Sequence, residues 1–162
     1  MTKPYRRNVG IALFNASGKV LIGRRFRDDG PEIILPGLEW QMPQGGIDTG
    51  ENPRDAVKRE LWEETGVANA DYLGETDWLN YEFPAFTGPS SHRLAKFRGQ
   101  RQKWFALRFL GEDRDIDLHT HEPEFAEWKW VDMAQLAGLI VPFKRDTYAA
   151  VIAAFRGLAA TS

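Results

Sequence analysis

Apolar residues near the start of the chain fall into two short runs, residues 9–14 (VGIALF) and 20–23 (VLIG), which read as strands. Between them Asn15-Ala16-Ser17-Gly18-Lys19 supplies turn formers, so the pair is expected to be a hairpin. Residues 28–38, rich in glycine, proline and acid, read as a surface loop, and residues 40–43 as a short strand running into Gly45-Gly46. Residues 53–65 are the clearest helix. Asn52 can cap it, Pro53 suits its first position, and Gly66 suits a left-handed stop. Residues 78–83 read as an aromatic strand and 84–99 as a loop with a basic tail. Residues 103–110 and 127–131 read as two more strands, the second with Trp128 and Trp130 on one face. Asp132 is placed to cap a short helix ending at Leu139. Tyr148, Val151, Ile152, Phe155 and Leu158 then recur at helical spacing as a core-facing stripe. With no repeat and no linker, residues 1–162 are expected to form one α/β domain, a mixed sheet with a helix on each side.

Composition narrows the chemistry. Hydrophobic residues make up 43% and charged residues 27%, an ordinary globular balance. No cysteine is present, which excludes disulfides, thiol nucleophiles and thiolate metal sites. Residues 9–14 are too short for a signal segment or a membrane span, so a cytoplasmic monomer or small homo-oligomer is expected. The net charge is only −2, yet the charges are segregated. Residues 1–27 carry seven bases and no acid, residues 28–82 fourteen acids and three bases, and residues 83–111 six bases and no acid. An acidic centre between basic flanks suits phosphate-bearing partners.

The acidic block contains the helix. With Ala56 at zero and 100° per residue, Glu60 falls at about 40°, Glu64 at about 80° and Glu63 at about 340°. Val57, at about 100°, and Leu61, at about 140°, border the same arc, so the carboxylates share the side that faces the protein. Glu60 and Glu64 repel at this spacing, and more strongly as the dielectric falls. A hard divalent cation would remove the conflict, although an acidic stripe in solvent has the same spacing.

The residues around the helix decide between those readings. Gly45, Glu51, Arg59-Glu60-Leu61, Glu63-Glu64 and Gly66-Val67 match the motif GX5EX7REUXEEXGU, with U apolar, at every fixed position. The chain therefore resembles the Nudix hydrolases. Tyr5-Arg6, Asn8-Val9-Gly10-Ile11, Arg24-Arg25, residues 40–47 and 99–105, Pro123-Glu124-Phe125 and Phe143-Lys144-Arg145 further resemble the bacterial RNA pyrophosphohydrolase and dinucleoside polyphosphate hydrolase branch. The resemblance implies an α/β/α sandwich with a loop–helix–loop metal site. By position Glu60, Glu63 and Glu64 would bind metal, with Glu124 as a further ligand from outside the motif. Glu51 and Arg59 would form an ion pair that holds the site in shape, and Gly45 would let backbone pass beside metal and phosphate. The implied cofactor is Mg²⁺, with Mn²⁺ as a substitute. Residues 28–38 make a longer loop than the shorter members of the branch carry.

The implied reaction is attack of water on a pyrophosphate linkage, with Glu64 as first choice of general base and Glu124 as second. The leading substrate is 5′-triphosphorylated RNA. The alternatives are a dinucleoside polyphosphate or free nucleotide, and a catalytically silent RNA-binding module. Arg6, Arg25, Lys103 and Lys144 are candidate phosphate contacts. Phe143 offers either a stacking face for a base or a core contact with the last helix. His119 and His121 alternate as strand ligands would but lack a third partner, and are expected to be loop residues.

Overall fold

The computed structural model describes residues 2–159. Seven strands form one mixed sheet: β1 (Tyr5–Phe14), β2 (Val20–Arg25), β3 (Trp40–Gln41), β4 (Gln44–Gly46), β5 (Ala70–Glu82), β6 (Gly99–Phe109) and β7 (Phe125–Val131). Helix α1 (Pro53–Thr65) and helix α2 (Arg145–Ala159) pack on opposite faces. The main path runs β3-β2-β1-β6-β5, with β7 on the other side of β2 and β4 against β1. β1 and β6 run parallel; the other pairs are antiparallel.

Alternation along the central strands divides the interior. Val9, Ile11 and Leu13 of β1, with Phe105, Leu107 and Phe109 of β6, point toward Ala56, Val57 and Leu61 of α1. Ala12 and Phe14 of β1, with Trp104 and Ala106 of β6, point toward Tyr148, Val151 and Phe155 of α2. Gly10 is needed because a Cβ there would lie 2.3 Å from the Trp104 ring.

The hairpin of β1 and β2 pairs only at Phe14 and Val20, after which the strands part. Residues 40–46 fill the gap. β3 pairs with β2, β4 pairs with β1, and Ile11 N donates to Pro43 O at 2.9 Å between them. The glycine loop is thereby fixed to the middle of the sheet.

Helix α1 begins and ends where its caps place it: Asn52 Oδ1 accepts from Arg54 N at 2.9 Å, and Gly66 has φ 72°. Other elements differ from the sequence expectation. β5 starts at Ala70 rather than 78; two register shifts against β6 break the alternation that would mark residues 70–77 as strand. The turn after Asp132 is a 3₁₀ helix, Met133–Gly138. His119 and His121 lie in turns and bends, not on a strand. Residues 28–38 form a loop, yet it is not wholly on the surface, since Pro31 and Glu32 are buried.

Candidate active site

A cleft opens where the start of β1, the β3–β4 segment and α1 meet, covered by the loops 26–38 and 84–98. Asp29 ties the two loops together through an ion pair with Arg93 and a 3.1 Å contact to His92 Nε2. Glu60, Glu63 and Glu64 of α1 line one wall, and Glu124, His121, Arg6, Arg25 and Arg93 line the rest; Arg6 acts electrostatically on Glu60, and Arg25 on Glu64 and Glu124.

Arg59 organises the acidic wall. Its Nε and Nη2 grip both oxygens of Glu51 at 2.9 and 2.8 Å, and Nη2 also donates to Gly46 O at 2.8 Å. Nη1 donates to Glu60 at 2.7 Å and to Glu63 at 3.3 Å. One guanidinium thus joins the loop, the helix and two candidate metal ligands. Those bonds hold the Glu51 carboxyl down at about 2.

The glycines make room for the charged groups. A Cβ at Gly45 would lie 2.0 Å from Glu60 Cδ, and one at Gly46 would lie 2.1 Å from an Arg6 guanidinium nitrogen. Neither residue has positive φ, so close approach rather than backbone freedom requires glycine here.

Burial pushes the Glu60 carboxyl up to about 7, against the pull of Arg59. Glu64 is raised well above the ordinary carboxylate range by burial, with Glu60 and Glu124 adding repulsion. Glu124 is raised by burial and by Asp29. The Oε2 atom of Glu64 is buried without a hydrogen-bond partner among the described residues.

No three His, Asp or Glu side chains among the described residues are already gathered as an ion cage. Two of the carboxylates instead lean on Arg59. The remaining features fit a hard divalent cation: an all-oxygen donor set, an orphaned Glu64 oxygen, and carboxyls whose protons are held tightly until a positive charge arrives.

The NUDIX domain family matches residues 4–151. The chain belongs to the NUDIX family. Among its relatives, the RNA pyrophosphohydrolase of Rhodospirillum rubrum is 52% identical over 159 residues, 96% of this chain and 90% of the relative. That of Roseobacter denitrificans is 49% identical, over 94% of this chain and 92% of the relative. In fold, the chain is similar to the MutT protein of Methanosarcina mazei, with TM-score 0.68 and 21% identity over 93% of this chain and 94% of the other. It is also similar to an Ap4A hydrolase of C. elegans, with TM-score 0.65 and 18% identity over 94% and 98%. NUDIX hydrolases use divalent metals, in keeping with the carboxylate wall.

In this NUDIX chain Glu51, Arg59, Glu60, Glu63, Glu64, Glu124, Gly45, Arg6 and Arg25 come together at the cleft or directly behind its wall. Three expected substrate contacts do not. Lys103 pairs with Glu75 at 3.0 Å, and its ladder partner Val9 belongs to the α1-side core, so it lies outside the cleft. Lys144 is 1% exposed, paired with Glu32 at 2.8 Å and bonded to Gln41 Oε1 at 3.0 Å, so its charge is already matched inside the protein. Phe143 packs against the α2-side core and the Tyr81 ring, 5.7 Å between centroids, which favours the core reading.

Sequence reasoning missed Arg93, which lines the cleft, and above all Glu32. Its Oε1 accepts from Gln100 Nε2 at 3.0 Å and from the Tyr81 hydroxyl, while Oε2 meets Lys144. Lys144 and these hydrogen bonds hold Glu32 at about 2 against the opposing effect of burial. Gln44, Gln102, Asn8 and Trp104 continue the polar network beneath the cleft. Nothing in the sequence near Glu32 sets it apart from the other acids of its loop.

Proposed function

We propose that this chain is a Mg²⁺-dependent pyrophosphohydrolase that removes pyrophosphate from the 5′-triphosphate end of RNA, leaving a 5′-monophosphate. Relatives named RNA pyrophosphohydrolase align with it over nearly the whole chain. The observation that carries the reading is a cleft in which buried, cation-seeking carboxylates face the guanidiniums of Arg6 and Arg25. The carboxylates suit metal and the guanidiniums suit phosphate oxygens, so a polyphosphate can bridge the two walls. The substrate would be met in the cytoplasm, by one domain spanning the chain. No helix among the described residues is long and apolar enough to cross a membrane.

Glu60, Glu63 and Glu64, with Glu124 opposite, would hold the ion. When bound, Mg²⁺ offsets phosphate charge and makes a nearby water more acidic. Arg6 and Arg25 orient the phosphate chain, and Arg59 keeps the glutamates in place through its grip on Glu51. Glu64 is the first candidate to accept the water's proton and Glu124 the second, because burial raises the proton affinity of both.

Glu64→Gln keeps the shape and removes the charge. It should lower kcat by roughly 100-fold or more with unchanged circular dichroism; an unaltered rate would refute the assignment. The competing substrate is a dinucleoside polyphosphate, which the same cleft chemistry would serve. A higher kcat/KM on diadenosine tetraphosphate than on a 5′-triphosphate oligoribonucleotide would overturn the choice of RNA. A protein with no turnover on either would be the silent RNA-binding module.

A further inference from the structure

Several basic residues take no part in the cleft, and three of them surround one aromatic ring. The Trp78 ring of β5 has the guanidinium carbon of Arg7 at 4.9 Å from its centroid, that of Arg101 at 5.4 Å and Lys103 Nζ at 5.8 Å. Glu75 matches the charge of Lys103. Arg7 and Arg101 stand side by side in the register of β1 and β6, both exposed, and neither forms an ion pair with a described residue. Like charges facing each other across a ladder oppose sheet formation, and sharing one indole relieves that only in part.

The patch is close to the cleft along the chain. Arg7 lies between Arg6 and Asn8, which both line the cleft. Its carbonyl accepts from Ile47 N at 3.1 Å, one residue past Gly46. Alternation places Arg7 with Val9 on the face of β1 that α1 covers, whereas Arg6 and Asn8 face the other way, so the cations stand one position along β1 from the cleft-lining Arg6.

We infer that Arg7, Trp78 and Arg101 form a second contact surface for single-stranded RNA, downstream of the 5′ end. The two guanidiniums take backbone phosphates, and a base lies against the half-exposed indole stack. The placement of the 5′ end rests on the function proposed above, whereas binding of RNA by the surface does not. The surface is blind to sequence, and it gives longer transcripts an affinity that dinucleotides lack.

The test uses the double variant Arg7→Ala/Arg101→Ala of the full chain. Binding of a 5′-hydroxyl oligoribonucleotide of about ten nucleotides, followed by fluorescence anisotropy, should weaken about tenfold at low salt. The slope of log affinity against log salt should shrink by about 1.4, two phosphates at roughly 0.7 each for a single strand. Arg7→Lys/Arg101→Lys should keep most of that slope. On a 5′-triphosphate oligomer of the same length KM should rise with kcat unchanged, while a 5′-triphosphate dinucleotide should show neither change. Unchanged RNA affinity and salt slope in the alanine variant would overturn the surface, as would equal losses on short and long substrates. If the alanine variant loses RNA affinity but the unmodified protein does not hydrolyse 5′-triphosphate RNA, the surface stands and the proposed reaction fails.

Discussion

Glu32 and Glu64 are both buried at the cleft, and the protein treats them in opposite ways. Glu32 meets Lys144, Tyr81 and Gln100, and its carboxyl is held at about 2. Glu64 has an unpartnered oxygen and two carboxylate neighbours, and its proton affinity is raised. A buried carboxylate with its counter-ion built in is part of the scaffold. One without it marks where a cation from outside belongs.

The contrast is broken most strongly by exchanging roles in catalysis and stability. Glu64→Gln should cost turnover by the large factor given above while leaving the melting temperature equal or higher, since a neutral side chain of the same shape avoids the burial and repulsion that raise the carboxyl's proton affinity. Glu32→Gln should do the reverse, leaving Lys144 buried without a counter-charge and costing about 3–5 kcal/mol by denaturant titration. Adding Lys144→Met to Glu32→Gln should recover much of that loss, because the unpaired charge goes too. A double variant no more stable than Glu32→Gln alone would mean that the pair is not the source of the cost.

Gly45→Ala tests how tightly the loop fits the acidic wall. The new methyl must displace the Glu60 carboxylate. About 1–3 kcal/mol of stability should be lost by overpacking, together with a weaker response of activity to Mg²⁺. Unchanged Mg²⁺ titration curves would show that the close approach does not matter to metal binding.

The smallest effect is on pH dependence. The folded Glu60 carboxyl lies at about 7, above its ordinary 4.5, so the folded state holds that proton more tightly. The stability it contributes is complete below about 4.5 and lost as pH rises through about 7. Glu32 works the other way, with its contribution present above 4.5 and lost as pH falls toward about 2. Without divalent ions the melting temperature should therefore fall between about pH 5 and pH 8, and Mg²⁺ should flatten the slope. A metal-free melting temperature that rises across that window would contradict the burial of Glu60.

Helix α1 and its acidic face were legible because their signals are local: a cap, a proline, a glycine and a fixed helical period. The start of β5 was not, since its bulges shift the alternation that reveals a strand. Glu32 was illegible for a different reason: its partners Tyr81, Gln100 and Lys144 come from remote parts of the chain, and only the fold brings them together. The same burial hid the fate of Lys144, which the sequence presents as one more base beside an aromatic residue.

The loop between β2 and β3 leaves and rejoins the same ladder. Arg24 pairs with Trp40, Gly23 with Gln41, and Arg25 N donates to Glu39 O at 2.9 Å. An excursion closed in this way can be shortened, lengthened or exchanged without moving the glycines and glutamates that follow it. It is a natural place to graft new recognition onto this scaffold, provided that the replacement delivers an acid to Lys144.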